Sequence, residues 1–243
     1  MELNADLGES WYDNTVGDDS ALMPYLDACN IACGFHGGDA LTMQRTIDLA
    51  LEYGVTIGAH PSFPDREHFG RRHVDLDPDR LYASLLYQVA ALKGMVLAAG
   101  GRLHHLKAHG ALYHFTNRDT LAAECLVSVM TALDVPVLFG PPIGELRKAA
   151  TAAEVLFYGE GFADRRYESP FLLTPRDQPN ACIDDVSGAI EQVRLMREAG
   201  LVETPDGKVR LDVDTICIHG DHAGAAVKAR AIRELLDTIP PRG

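Results

Sequence analysis

Carboxylates, imidazoles and one lysine recur along this chain in six short polar motifs, each following an apolar run. Asp6-Leu7-Gly8-Glu9 sets two carboxylates three residues apart, a pair that can divide acid and base work if burial and mutual repulsion separate their pKa values. The plainer alternative leaves Asp6 on loop amides and Glu9 in water. Cys33-Gly34-Phe35-His36-Gly37-Gly38-Asp39 places an imidazole and a carboxylate among three glycines that permit close backbone approaches. Asp39 directly precedes Ala40-Leu41-Thr42 and is equally suited to capping a helix there. Gly58-Ala59-His60-Pro61 opens a long irregular stretch reaching Arg71-Arg72, whose forked donors suit a carboxylate or phosphate but which also fit a solvated surface pair. His68 and His73, flanked by charges, are expected at the surface.

Leu103 to Gly110 carries the densest set. Period-two alternation puts His105, Lys107 and His109 on one strand face. A lysine there is costly to bury without a task or an anionic partner, so Lys107 is the leading candidate for contact with an anion or a developing negative charge. His105, one step further back, is expected to be structural. Glu160-Gly161-Phe162-Ala163-Asp164-Arg165-Arg166 carries both signs of charge, suited to an amino-acid-like or phosphorylated ligand, or else to a salt-bridged loop. His219-Gly220-Asp221 offers a proton carrier or a ligand for a divalent metal.

These motifs need elements to position them. Seven short runs, apolar on both faces, read as covered parallel strands: 3–5, 28–33, 55–59, 102–106, 135–139, 155–158 and 215–218. Helical patterns lie between them, clearest at 40–53, 78–99, 119–133, 184–199 and 223–236. Asp77-Pro78 reads as an N-cap with proline at the first helical position, and Gly54, Gly100 and Gly200 as helix stops. Residues 202–211, with Pro205-Asp206-Gly207 at their centre, read as an inserted hairpin. Seven β/α units fit an α/β barrel or a doubly wound sheet. Motifs at nearly every strand exit favour the barrel, because an open sheet gathers its site at one switch point.

The 243 residues, 47% hydrophobic, suffice for one large α/β domain, taken as residues 1–243. A net charge of −13 opposes nucleic acid and anionic membranes and favours small molecules and proteins as partners. No signal-like segment opens the chain and no apolar run approaches the ~18 residues of a membrane span, so a soluble cytoplasmic protein is expected. The five cysteines include no Cys-x-x-Cys pair, which points to reduced thiols. There is no Gly-x-x-x-x-Gly-Lys-Ser/Thr, hence no phosphate-cradling P-loop.

Taken in order, Leu3-Asn4-Ala5-Asp6-Leu7-Gly8-Glu9, Ala32-Cys33-Gly34-Phe35-His36-Gly37-Gly38-Asp39, Ile57-Gly58-Ala59-His60-Pro61-Ser62, Lys107-Ala108-His109-Gly110-Ala111-Leu112-Tyr113, Glu160 to Tyr167 and His219-Gly220-Asp221 resemble the lactam-utilisation family, the A subunits of prokaryotic ATP-dependent 5-oxoprolinase. Ala5 in place of cysteine and Ala108 in place of proline depart from that pattern and leave every ionisable position intact. The resemblance implies a seven-stranded β/α barrel of the glycoside hydrolase/deacetylase type. It also implies conversion of 5-oxo-L-proline, ATP and water to L-glutamate, ADP and phosphate together with subunits B and C. In that scheme Asp6, Glu9, His36, Lys107, His109, His219 and Asp221 are expected to be catalytic, and Asp39, His60, Arg71, Glu160, Arg165 and Arg166 to bind substrate. ATP is the co-substrate, acting here or on the partners. The rivals are a metal-dependent deacetylase with Asp6, His36 and His60 as ligands, a thiol amidase using Cys33, and a non-catalytic component that delivers substrate.

Overall fold

Short β-branched and apolar runs set between amphipathic helices need cover on both faces of their strands, and here the sheet obtains it by rolling into a ring surrounded by helices. The computed structural model describes residues 1–170, 172–221 and 224–239. Its seven barrel strands are β1 (Glu2–Leu7), β2 (Ala28–Ala32), β3 (Thr56–His60), β4 (Leu103–Lys107), β5 (Val137–Gly140), β6 (Leu156–Phe162) and β7 (Thr215–His219). All neighbours pair parallel, and the ring closes where β1 meets β7, with Asp6 opposite His219. The chain is therefore an α/β protein built on a closed seven-stranded parallel barrel.

Helices Ala40–Tyr53, Pro78–Ala98, Thr120–Ala132, Val186–Arg194 and Ala225–Thr238 lie where the periodicity predicts them; the expected first residue of the last, Ala223, falls outside the described residues. Asp39, Asp77, Asp119 and Asp185 each accept a bond from the amide three residues on, filling orphan donors of the first turn. Gly54 ends its helix at φ 69°, a left-handed conformation that glycine adopts without strain. The expected hairpin pairs Leu201–Thr204 with Gly207–Arg210.

Three things differ from expectation. Helices Gly110–Thr116 and Glu145–Ala152 are present but too short to show a clear period. Strand β6 runs four residues past its expected end, because Glu160, Gly161 and Phe162, which open the polar motif, pair in register with Thr215, Ile216 and Cys217 of β7. Gly161 is small for a packing reason: a β-carbon there would stand 2.9 Å from Met196 Sδ. Finally, Pro78–Ala98 has the length and apolar composition of a membrane span, contrary to the sequence reading. In this fold it is one of the helices around the barrel, burying Leu81, Leu85, Val89, Leu92 and Val96.

Most apolar burial lies between sheet and helices, with Leu3, Ile57, Leu106 and Ile218 from the strands meeting Ile47, Leu85, Leu126 and Ile232 from the helices in one cluster. A second, small cluster of Ala28, Val137 and Phe139, with Tyr158 against it, stands apart from the first. The rest of the barrel lining is largely polar.

Candidate active site

The barrel's inner wall carries two polar layers. In the lower one, Asn4 donates to Thr215 Oγ1 at 2.8 Å, Asn30 donates to Asn4 Oδ1 at 2.8 Å, and His105 Nε2 meets Asn30 Oδ1 at 2.8 Å. His105 lies flat on Phe139 with ring centres 4.0 Å apart. Gly58 makes that placement possible, since a β-carbon there would fall 2.1 Å from His105 Nε2. Burial and neighbouring cations hold the His105 imidazole well below its usual pKa, so it is neutral.

One step up, Lys107 is buried at 2% exposure, and its ammonium has two hydrogen-bond acceptors and a third, ion-paired neighbour. These are Asp6 Oδ1 at 2.8 Å, Cys217 Sγ at 3.0 Å and Glu160 Oε1 at 2.9 Å. Burial alone would discharge this lysine; Asp6, Cys217 and Glu160 outweigh it and hold the pKa well above the usual value. Burial likewise pushes the Asp6 carboxyl up, but His60 and Lys107 pull it well below the ordinary range, leaving it ionised. Glu9 goes the other way. Burial and the carboxylates of Asp6 and Asp221 raise it well above the usual value.

Beside Lys107 three imidazoles touch. His60 Nδ1 lies 2.8 Å from the Lys107 carbonyl and His109 Nε2 lies 2.8 Å from the Phe69 carbonyl. A carbonyl oxygen only accepts, so each of those nitrogens carries its ring's proton. His60 Nε2 and His109 Nδ1, 3.0 Å apart, are then left facing each other. Asp6 Oδ2 stands 3.3 Å from the first and Glu9 Oε1 3.6 Å from the second. His36 is fully buried behind Glu9, its Nε2 3.1 Å from Glu9 Oε1, and stacks on His109 with centroids 3.6 Å apart. Burial, reinforced by neighbouring imidazoles, lowers the pKa of both His36 and His109.

This floor opens into a cavity of about 570 Å3 whose mouth is basic. Arg71, Arg118, Arg165 and Arg176 line it, against Asp177 and Asp221; Asp221 is bound by Arg71 at 2.7 Å and approached by Arg176 at 3.7 Å. Arg165, 5% exposed, donates to the Thr174 carbonyl at 2.6 Å and so ties β6 to the 172–177 wall of the cavity. His219 Nδ1 and its backbone amide both bond Asp164, at 2.9 and 3.1 Å. That carboxylate fixes the imidazole with Nδ1 protonated and leaves Nε2 available to a bound ligand.

The structure thus gathers Asp6, Glu9, His60, Arg71, Lys107, His109, Arg165, His219 and Asp221 around one cavity, with Glu160 behind Lys107 and His36 behind Glu9. Two candidates lie elsewhere. Asp39 directs its oxygens to the amides of Thr42 and Tyr12, and Arg166 is exposed beside a smaller recess near Glu191 and Glu203. His68 pairs with Asp65, whereas exposed His73 borders the cavity mouth. Cys33 is buried, its thiol pushed up to about 12, which leaves it no thiolate character at neutral pH. Sequence reasoning missed Asn30, Cys217, Asp164, Tyr113 and Arg176; Asp164 and Tyr113 had a signal in their places within the Glu160-to-Tyr167 and Lys107-to-Tyr113 motifs. The deacetylase-type metal set of Asp6, His36 and His60 does not converge as such, because His36 reaches Glu9. Donor atoms of Glu9, His36, His60 and His109 do lie within 4.8 Å of one another, and this imidazole-carboxylate chemistry fits a divalent ion.

Comparison with known proteins bears on what this cavity is for. The profile of the LamB/YcsF family matches residues 1–239. The chain belongs to that family. Among LamB/YcsF relatives, the 5-oxoprolinase A subunit of Bordetella pertussis is 46% identical over 239 residues, spanning 98% of this chain and 95% of its own. The 5-oxoprolinase A subunit of Methylococcus capsulatus is 46% identical over 235 residues, covering 96% and 90%. The solved lactam utilization protein of Thermus thermophilus superposes with a TM-score of 0.90 at 39% identity, over 98% of this chain and 96% of that one.

Proposed function

We propose that this chain carries out hydrolytic ring opening of 5-oxo-L-proline to L-glutamate, as the A component of an ATP-dependent 5-oxoprolinase completed by subunits B and C. The names of its relatives support the substrate. The observation that carries the chemistry is the buried Lys107 ammonium, held between Asp6 and Glu160 at the floor of a cavity with a basic mouth.

A five-membered lactam is an unactivated amide, and ATP activates it by phosphorylation of the lactam oxygen. With no P-loop in this chain, that transfer is assigned wholly or partly to the partner subunits. Water then adds to the activated carbon, the C–N bond breaks, the nitrogen takes up a proton, and the resulting acyl phosphate is hydrolysed. Asp6, ionised and next to His60, is the group that accepts the proton of the attacking water. Glu9, whose hold on a proton is strengthened by burial and by the carboxylates of Asp6 and Asp221, and His219, oriented by Asp164, are placed to give one to the departing nitrogen. Lys107 supplies the positive charge that faces the charge developing on oxygen, with His109 beside it, and Arg165 takes the substrate carboxylate.

A divalent ion held by the imidazole cluster would supply Lewis-acid chemistry at the same floor, and the convergence of those donors favours a metal-dependent hydrolase as the second reading. The deciding assay is ATP-coupled glutamate release from 5-oxoproline, first with this chain alone and then with subunits B and C. Turnover only in the complete mixture, lost with Lys107→Ala, supports the proposal. Full turnover by Lys107→Ala removes the role given to the lysine, and no turnover in the mixture removes the substrate.

A further inference from the structure

Two neutral imidazoles whose unprotonated nitrogens face each other at 3.0 Å repel unless something positive, a proton or a metal ion, lies between them. His60 Nε2 and His109 Nδ1 are driven into that arrangement from outside. Each ring's other nitrogen is committed to a backbone carbonyl, the Lys107 carbonyl for His60 and the Phe69 carbonyl for His109. Such a hydrogen bond fixes the orientation and tautomer of a metal-bound histidine. The carboxylates are disposed to match. Asp6 Oδ1 is occupied by Lys107 and Asn30, leaving Oδ2 at 3.3 Å from His60 Nε2. Glu9 Oε1 stands 3.6 Å from His109 Nδ1.

These spacings carry the argument further. Ligand atoms about 2.1 Å from a shared ion stand roughly 3.0 to 3.4 Å from one another at octahedral or tetrahedral angles. The observed separations of 3.0, 3.3 and 3.6 Å bracket that range. Hydrogen bonding accounts for them less well, because the nitrogen–nitrogen contact has no proton unless one ring becomes an imidazolium. The second cluster of possible ligands, Asp6, Cys217 and His219, lacks this character: the thiol takes the Lys107 proton donor and His219 Nδ1 is bound to Asp164.

We propose that the barrel floor is a binding site for one divalent first-row transition ion, ligated by His60 Nε2, His109 Nδ1 and the Glu9 carboxylate, with Asp6 Oδ2 flanking it. Imidazole with carboxylate suits zinc, iron, manganese or cobalt. His36 is a positioning residue: it backs Glu9 at 3.1 Å and stacks flat on His109, so both ligands lose freedom through one side chain. The inference stands on donor geometry alone. Metal content therefore reads it whether or not 5-oxoproline is the substrate.

The test uses the full chain, stripped with chelator, reloaded with Zn2+ or Co2+ and dialysed. Elemental analysis gives the stoichiometry, the Co2+ ligand-field spectrum reports coordination, and thermal denaturation shows the linked stabilisation. One retained ion per chain is expected, with a spectrum of nitrogen and oxygen ligation and a melting point that rises with metal and falls back with chelator. His60→Ala and His109→Gln should each abolish retention, His36→Gln should weaken binding about 10- to 100-fold, and His68→Ala should bind as the parent does. Circular dichroism separates loss of the ion from loss of the fold, and Glu9→Gln provides an independent ligand variant if a histidine substitution unfolds. The absence of a retained ion, or equal retention by His60→Ala and His109→Gln, overturns the site. In that event a shared proton holds the two rings together. Loss of the ion in Cys217→Ser with retention in His109→Gln would likewise overturn the ligand assignment.

Discussion

The two polar layers inside the barrel differ in kind. The lower layer of Asn4, Asn30, His105 and Thr215 is neutral, and its members meet donor to acceptor around the ring. The upper layer of Asp6, Glu9, Lys107, His60, His109 and Glu160 is charged, and ligand-type atoms in it face one another. Burial of polar groups is common to both. What separates them is whether the groups complete one another or leave capacity over for a ligand. A satisfied network fixes a conformation, while an incomplete one holds reactive groups ready. Polarity inside a barrel is thus a poor marker of an active site, and unused bonding capacity a better one.

The largest test of this contrast removes the upper layer's cation. Lys107→Met leaves Asp6 and Glu160 buried without a counter-charge, which costs about 3–5 kcal/mol of stability and lowers turnover in the reconstituted enzyme at least ~100-fold. Denaturant titration alongside the assay reads both; a variant as stable as the parent would show that the carboxylates simply take up protons. Next comes proton transfer at the wall. His219→Gln is expected to cost about 10²–10⁴ in turnover with an unchanged melting point, and Asp164→Asn should move the pH profile of activity as well as its height. A flat loss at every pH would assign the pair a purely structural role.

The lower layer should respond in the opposite sense. Gly58→Ala drives a methyl into the His105 ring and is expected to destabilise by about 1–3 kcal/mol, with turnover per folded molecule retained. Loss of turnover without loss of stability would erase the distinction between the layers. The smallest effect is on pH dependence. The folded pKa of His105 is depressed, so as pH falls through about 6.5 the unfolded chain binds a proton that the folded chain refuses. Its contribution to stability is complete above that pH and is lost below it, at a slope of up to about 1.4 kcal/mol per pH unit. Melting curves between pH 7.5 and 5.5 should therefore be less steeply pH-dependent for His105→Asn than for the parent.

Much of this was legible in the sequence. Seven apolar runs became seven strands, and the polar residues after them lie at the end of the barrel where the cavity opens. Alternation along β4 placed Lys107 facing inward, and its need for an anionic partner followed from its burial. The identity of that partner did not follow. Asp6 and Glu160 stand 101 and 53 positions away and meet the lysine only because the ring closes. Asp164 was visible as a charge in a motif but not as the anchor of His219, while Asp221, two residues along from that histidine, is held by Arg71 instead. Asn30 and Cys217 were invisible because amides and thiols inside an apolar run read as packing. Asp39 shows the converse: its helix-cap signal was genuine and used up the side chain.

The separation of the two apolar clusters has a consequence for how such a molecule can change. Cohesion resides chiefly in the annulus between strands and helices, whereas the lumen holds the small plug around Phe139 and a few apolar groups beside Lys107, such as Phe162. The barrel wall acts as a partition, and a strand residue takes part in one compartment or the other according to the parity of its position. Inward positions can consequently be rewritten, volume for volume, toward a different substrate while the outer seam that holds the ring shut remains as it was.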